Sequence, residues 1–356
     1  MSTISLCMIV KNEQDVLSRC LLSAADLVDE IIIVDTGSTD ATKEVAKNFT
    51  DKIYDFIWCD DFSKARNFSF SKATCDYVMW LDADDVILPR DAAKFKKLKQ
   101  GLNLSAELVM MKYHVAFDEH QNPTLTYYRE RLMLRSMNFV WEGAVHEAIV
   151  PRGNIIYSDV AITHQKLHRA DPQRNLRIFE KLLAQGTHLD PRQQFYYARE
   201  LYYDKRYPEA IAEFCAFLDG GAGWVENNIS ACQDLAYCYY QTGQEQKALA
   251  ALVRSFCYDV PRCEICCDIG KHFLDRNQLP QAIYWFKTAL SRKPEKASGA
   301  FVNPDCAGYI PCLWLCVCYD RLGDRAMAEK FNERAAKKKP DDPTVLQNRA
   351  YFNSMK

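Results

Sequence analysis

The stretch Tyr77-Val78-Met79-Trp80-Leu81-Asp82-Ala83-Asp84-Asp85 ends an apolar run in a cluster of carboxylates. Such a run reads as a buried strand. In an open α/β sheet, ligands bind in the crevice outside the carboxyl ends of the strands. Two carboxylates two residues apart at such an end suit a hard divalent cation held against a diphosphate. The same arrangement occurs where Ile31-Ile32-Ile33-Val34 gives way to Asp35-Thr36-Gly37-Ser38-Thr39-Asp40, and where the run from Ile4 to Val10 meets Lys11-Asn12-Glu13. Three strands delivering polar residues to one edge describe a nucleotide–metal site, not a lone acidic loop.

The rest of the first hundred residues supports a parallel sheet. Strands are expected at Ile4 to Val10, Glu30 to Val34, near Lys52 to Ile57, and at Asp76 to Leu81. Between the first two, Val16, Leu17, Cys20, Leu21, Ala24 and Val28 fall on one helical face. Ser38, Thr39 and Asp40 offer caps for a second helix with Ala41, Val45, Ala46 and Phe49 inward. Continuous Ile/Val runs joined by helical crossovers indicate a sheet buried on both faces. From Glu107 to Arg135 the texture changes to two longer strands around a turn at Glu119-His120-Gln121-Asn122-Pro123, expected to add antiparallel strands. A further strand, Asn154 to Thr163, ends in His164.

After Pro172 the chain becomes helical and repetitive. Four segments share an apolar-aromatic helix, a turn residue, and an alanine five positions later. They run from Phe195 through Lys205 to Ala210, from Asp234 through Gly243 to Ala248, from Cys267 through Asn277 to Ala282, and from Trp314 through Gly323 to Ala328. Ala248 and Ala282 lie 34 positions apart, the length of a tetratricopeptide repeat. The step to the fourth segment is longer and contains Pro294 to Pro304, expected to be a loop insertion. Such a unit cannot bury its face alone, so stacking supplies the core, and the stack's concave face suits an extended peptide. The domains are therefore expected at 1–170 and 171–356.

Net charge is −2, from 45 basic and 47 acidic residues, which leaves no footprint for nucleic acid or a membrane surface. Neither a signal segment nor an apolar stretch of the ~20 residues that span a bilayer is evident, so the chain reads as soluble and cytoplasmic. The 15 cysteines are odd in number and mostly on apolar faces, as free thiols are in a reducing compartment. Cys263-x-x-Cys266-Cys267 offers zinc ligands together with Cys257 or His272. No second Cys-x-x-Cys stands at finger-like spacing, so a structural metal is not expected there.

Met8-Ile9-Val10-Lys11-Asn12-Glu13, Val34-Asp35-Thr36-Gly37-Ser38-Thr39-Asp40 and Leu81-Asp82-Ala83-Asp84-Asp85 together resemble the family 2 glycosyltransferases of the GT-A fold, over roughly the first 165 residues. Joined to tetratricopeptide repeats, they resemble a bacterial subgroup that includes sublancin-type peptide S-glycosyltransferases. The resemblance implies a Rossmann-like mixed α/β sheet followed by an all-α repeat domain, a nucleotide-sugar donor, and Mn²⁺ or Mg²⁺.

It also implies residue roles. Asn12 and Glu13 would lie against the donor, and Asp35 would bind the base or ribose; a helix cap is the bland alternative for Asp35. Asp82 would contact ribose or sugar. Asp84 would bind the metal, with His164 completing its shell, although a lone histidine is as often a packed ring. Asp85 either joins the site or starts the following turn. Arg66 and Asn67, in Phe62-Ser63-Lys64-Ala65-Arg66-Asn67, would contact diphosphate or base, against a surface-helix arginine as the alternative. Arg131 and the segment Trp141-Glu142-Gly143-Ala144-Val145-His146-Glu147 resemble the acceptor side of the subgroup. Inverting transfer needs a base, for which Glu147, His146 and Glu142 are the candidates, Glu147 first. The family's Glu-Asp pair at a helix start is not evident. Arg169, Arg174 and Asn175 either cover the departing diphosphate or form a linker's solvated face.

The leading expectation is an inverting, metal-dependent transfer of a hexose, from a UDP-sugar, to a hydroxyl or thiol of a peptide, protein or glycan. A non-catalytic peptide-binding repeat protein is one rival, and donor hydrolysis separates the two. Nucleotidyl transfer is another, but no Gly-x-x-x-x-Gly-Lys loop is present.

Overall fold

The computed structural model describes residues 2–117, 121–167, 171–292 and 303–355. Glu119 and His120 of the expected turn, Arg169, and most of the expected insertion from Pro294 lie outside these residues. The chain divides into two compact units, 1–188 and 189–356.

In the first unit the order is β1 (Ile4–Val10), α1 (Leu17–Ala24), β2 (Glu30–Asp35), α2 (Thr42–Lys47), β3 (Ile53–Asp55), α3 (Phe62–Phe70), β4 (Tyr77–Trp80), β5 (Asp85–Val86), α4 (Pro89–Gly101), β6 (Leu108–Phe117), β7 (Pro123–Leu134), β8 (Trp141–Glu142), β9 (Ala148–Ile149), β10 (Ile155–His164) and α5 (Arg174–Ala184). Helix α5 lies beyond the boundary drawn from the sequence at 170/171, yet belongs to this unit.

Eight strands form one mixed sheet in the order β3-β2-β1-β4-β7-β6-β10-β5, and β8 pairs with β9 apart from it. Strands β3, β2, β1 and β4 are parallel. The hairpin strand β7 inserts antiparallel between β4 and β6, as the change of texture after Glu107 suggested. Alternation explains the packing. Ile4, Leu6 and Met8 join Leu17, Cys20 and Leu21 of α1 in the main core. Cys7, one step out of phase, packs with Ile32, Ala73 and Val78 in a second, smaller cluster. Both faces of β1 are thus covered, which is why its sequence is apolar throughout.

One charged group is built into this sheet. Glu30, at the start of β2, is 8% exposed. It accepts from Ser5 Oγ and Lys52 Nζ, from Thr74 N at 2.9 Å and from Thr74 Oγ1 at 2.8 Å. Burial alone would raise its carboxyl, but these donors outweigh burial and lower it to about 2.

The second unit is α6 (Pro191–Tyr203), α7 (Tyr207–Gly220), α8 (Val225–Gln241), α9 (Glu245–Arg254), α10 (Cys263–Asp275), α11 (Leu279–Ser291), α12 (Tyr309–Arg321), α13 (Arg325–Ala336) and α14 (Pro343–Ser354). The turns of the first four helix pairs place Lys205, Gly243, Asn277 and Gly323 at φ of +62°, +72°, +55° and +79°. This is the left-handed position that closes a helix. Five residues on, Ala210, Ala248, Ala282 and Ala328 are all 0% exposed. The turn-to-alanine offset read in the sequence is therefore the physical hinge of each pair. Cys263, Cys266 and Cys267 pack with Ala289 and Cys306 in an apolar cluster, and His272 faces Tyr240 Oη at 2.7 Å. Among the described residues, no helix is long and apolar enough to cross a membrane.

Candidate active site

Register builds the acidic end of the site. After β4 the chain turns through Asp82 to Asp84 into β5, which pairs antiparallel with β10 so that Asp85 stands opposite His164. Gln165 N donates to Asp84 O at 2.9 Å and extends that pairing. His164 Nδ1 consequently lies 3.3 Å from both Asp84 Oδ1 and Asp85 Oδ1. The three residues offer one ligand atom each, all within 4.8 Å of one another. Two carboxylates and an imidazole form a donor set that fits Mn²⁺ well and Mg²⁺ acceptably. Burial opposes charge on His164, but the bonds to Asp84 and Asp85 outweigh it and push the group up to about 10. A divalent cation would compete with that proton.

Asp85, which the sequence left between site and turn, is the fixed point of the cluster. It is 0% exposed. Its Oδ1 accepts from Tyr113 Oη at 2.9 Å. Its Oδ2 accepts from Arg131 Nη1 at 3.0 Å and Asp82 N at 3.1 Å. Arg131, expected to touch substrate, is itself 0% exposed and lies beneath the site. Its guanidinium carbon is 3.7 Å from the Trp80 ring centroid and 4.4 Å from that of Tyr113. In this geometry it holds Asp85, while its Nε and Nη2 are buried with no partner. Burial first, then Asp85, raises the Tyr113 phenol, so it stays protonated as a donor.

Arg66 makes the second constellation. It stands on α3, whose N-cap Asp61 accepts from Lys64 N at 3.0 Å. Its Nη2 donates to Asp82 Oδ1 at 2.8 Å and its Nε to Glu147 Oε1 at 2.7 Å. The guanidinium packs against the rings of both Trp80 and Trp141, at 5.0 and 4.8 Å, and those rings meet edge to face. Burial alone would raise the Asp82 carboxyl; Arg66 and Arg131 outweigh it and hold the group low. Asn67 spends its amide on the backbone of Trp141, giving at 2.9 Å and accepting at 2.8 Å. It clamps the β8–β9 hairpin to α3 and is a positioning residue here.

That hairpin carries the candidate bases. Gly143 and His146 adopt φ of +94° and +53°, a tight turn that swings Glu147 toward Arg66. His146 Nε2 lies 3.5 Å from Asn175 Nδ2 of α5, and Arg174 stacks 4.6 Å from the Phe62 ring. Glu142 is exposed on β8, and Glu147 is joined to Asp82 through Arg66.

Asp35 closes β2 at 1% exposure. Its Oδ1 accepts from Gly37 N at 2.9 Å and Ser38 N at 2.8 Å, while its Oδ2 is buried with no partner. A buried acceptor left open is a costly feature in an unliganded protein and fits an incoming N–H or hydroxyl. Asn12 at φ +55° braces the loop beyond. It donates from its N to Ser38 Oγ at 2.9 Å and accepts from Thr39 N at 2.8 Å. Glu13 N donates to Thr42 Oγ1 at 2.7 Å. Tyr113, Trp80 and Trp141 were not singled out from the sequence. Their one signal was aromatic residues beside arginines on adjacent strands.

The first unit is thus a mixed α/β sheet with carboxylates at its strand ends and an Asp/Asp/His cluster that could hold a metal ion. Residues 5–149, under half of the chain, match the family model described as Glycosyl transferase family 2. The chain is 28% identical over 223 residues to the SPbeta prophage-derived glycosyltransferase SunS of Bacillus subtilis, covering 59% of this chain and 51% of SunS. Over 88 residues it is 47% identical to a TPR repeat-containing protein of Synechococcus elongatus, covering 25% of this chain and 22% of that one. It thus spans about half of SunS and under a quarter of the Synechococcus protein. A structure of S. aureus TarS 1-349 superposes over 69% of this chain and 88% of TarS, at 13% identity and a TM-score of 0.39, too low to bear on the reading.

Proposed function

We propose that the chain is an inverting, metal-dependent glycosyltransferase that moves a hexose from a UDP-sugar to a hydroxyl or thiol on a peptide or protein. The observation that carries this reading is the cluster of Asp84, Asp85 and His164, with Asp82 N bonded to Asp85, on a sheet whose strand β2 ends in the open oxygen of Asp35. Asp35 Oδ2 would accept the base imide N–H or a ribose hydroxyl. Asp84, Asp85 and His164 would hold Mn²⁺ or Mg²⁺, which when bound offsets the charge of the departing diphosphate. Arg66 keeps Asp82 ionised and aimed while Trp80 and Trp141 exclude water from the pair. Glu147 binds Arg66 through Oε1, which leaves Oε2 for the acceptor proton as the sugar centre becomes cationic. A thiol acceptor would lean on that base less than a hydroxyl.

The test is calorimetric titration of UDP and of Mn²⁺ into the full chain, followed by donor hydrolysis with a panel of UDP-hexoses. UDP binding that tightens with Mn²⁺, together with sugar release, is expected. Absence of UDP binding at millimolar ligand with Mn²⁺ present overturns the reading.

A further inference from the structure

The second unit carries a concavity of about 340 Å³ lined by α6, α8, α9 and α10. Its wall is aromatic. Tyr202 and Tyr237 meet edge to face at 5.4 Å, and Tyr237 is 45% exposed. Its charges are chiefly carboxylates, and they are unequally matched. Asp234 Oδ2 lies 3.1 Å from Arg199 Nε. Asp275 Oδ1 holds Lys271 Nζ at 2.5 Å, and that ammonium also stands 5.2 Å from the Trp314 ring. Asp268 differs from both. Among the described residues it meets no cation, and its Oδ2 accepts from the neutral amide of Gln233 at 2.8 Å.

We propose that this concavity is a peptide subsite that takes a basic side chain, with Asp268 as its anion and Tyr237 as its apolar wall. A lysine or arginine suits it because the charged tip needs a carboxylate while the methylene stem needs apolar surface. Charge complementarity selects the occupant: Arg199, Lys271 and Arg276, the cations near the wall, are already committed to Asp234, Asp275 and Glu245, which leaves the charge of Asp268 to be matched. Asp268 is exposed in the concavity, so an incoming cation can reach its carboxylate directly. The peptide's being the acceptor rests on the transferase reading; its binding here does not.

The experiment is fluorescence anisotropy on the full chain with three labelled peptides, alternating lysine-serine, glutamate-serine and alanine-serine. The lysine peptide is expected to bind and the other two are not. Asp268→Asn, which keeps shape and the Gln233 contact, should weaken it about fivefold or more. Tyr237→Ala should also weaken it. Asp341→Asn, an exposed change elsewhere in the repeats, should leave it unaltered. Equal binding of the lysine and glutamate peptides overturns the proposal, as does equal loss in the Asp268 and Asp341 variants. UDP titration of the same variants separates the two readings. Peptide binding lost with UDP binding kept locates the defect in the groove, whereas peptide binding without any UDP binding refutes the transferase and leaves the groove standing.

Discussion

Arg131 Nη1 lies 3.0 Å from Asp85 Oδ2, and both side chains are completely buried. A buried pair of this kind is costly to assemble and more costly to halve. Its position explains why it exists: Asp85 also faces His164 across the β5–β10 pairing. The pair converts the sheet's rigidity into a fixed carboxylate at the proposed metal site.

Arg131→Met is therefore expected to destabilise the protein by about 3–5 kcal/mol, because it removes the cation that faces Asp85 Oδ2 in a fully buried pair. Adding Asp85→Asn should restore a good part of that loss. Urea unfolding of the two variants measures both. If Arg131→Met costs under about 1 kcal/mol, the buried pair does not hold the site together.

Asp84→Ala should behave differently. Asp84 is partly exposed and, among the described residues, pairs with no arginine, so the melting temperature without metal should barely move. Excess Mn²⁺ should raise the wild-type melting temperature by mass action and do so far less in the variant. An undiminished Mn²⁺ shift in Asp84→Ala would remove Asp84 from the ligand set.

The contrast between Asp84 and Asp85 marks where the sequence stopped being informative. Strands β1, β2 and β4 were legible because burial on both faces demands unbroken apolar runs, and Asp35 and Asp82 follow from where those runs end. The partners of Asp85 were not, because Arg131 and His164 reach it from 46 and 79 residues away. Nothing local marks Arg131 as buried; the Asp85 carboxylate and the rings of Trp80 and Tyr113 that make its burial tolerable come from other strands. The two-residue strands β5, β8 and β9 carry no periodicity to read. In the repeats the reverse holds, since local turn chemistry and a small alanine define each unit almost alone.

Acid should weaken the first unit through Glu30. Its carboxyl is lowered from 4.5 to about 2, chiefly through Lys52, Ser5 and Thr74 against the opposing effect of burial. A group depressed in the folded state contributes its stability above the unfolded value and loses it as pH falls toward the folded one. The contribution is thus complete above about pH 5 and fades between about 4.5 and 2. Glu30→Gln should cost about 1–3 kcal/mol at neutral pH and flatten the fall of the urea midpoint between pH 5 and 3. A variant with the parent's full acid dependence would acquit Glu30.

The repeat turns give a paired test. Lys205 holds the left-handed position that Gly243 and Gly323 occupy in other repeats. A β-carbon there costs roughly 1 kcal/mol, the penalty glycine avoids. Lys205→Gly should raise stability by up to about 1 kcal/mol, and Gly243→Ala should lower it by a similar amount. Thermal unfolding that moved both variants in the same direction would contradict the shared turn geometry.

Asp35→Asn tests the proposed donor site with least disturbance. The Asp35 Oδ1 bonds to Gly37 and Ser38 survive in asparagine, whose amide nitrogen then takes the place of the open Oδ2. An acceptor becomes a donor, and it would face the base N–H that the oxygen is proposed to receive. Two donors meeting in a buried site forfeit a hydrogen bond and leave a group unsatisfied, about 1–3 kcal/mol. UDP affinity should therefore fall about 10- to 100-fold. The melting temperature without ligand should stay level or rise, because the buried unpaired anion is gone. Calorimetry on the variant decides the matter: UDP affinity equal to that of the parent would show that Asp35 shapes its loop and does not read the nucleotide.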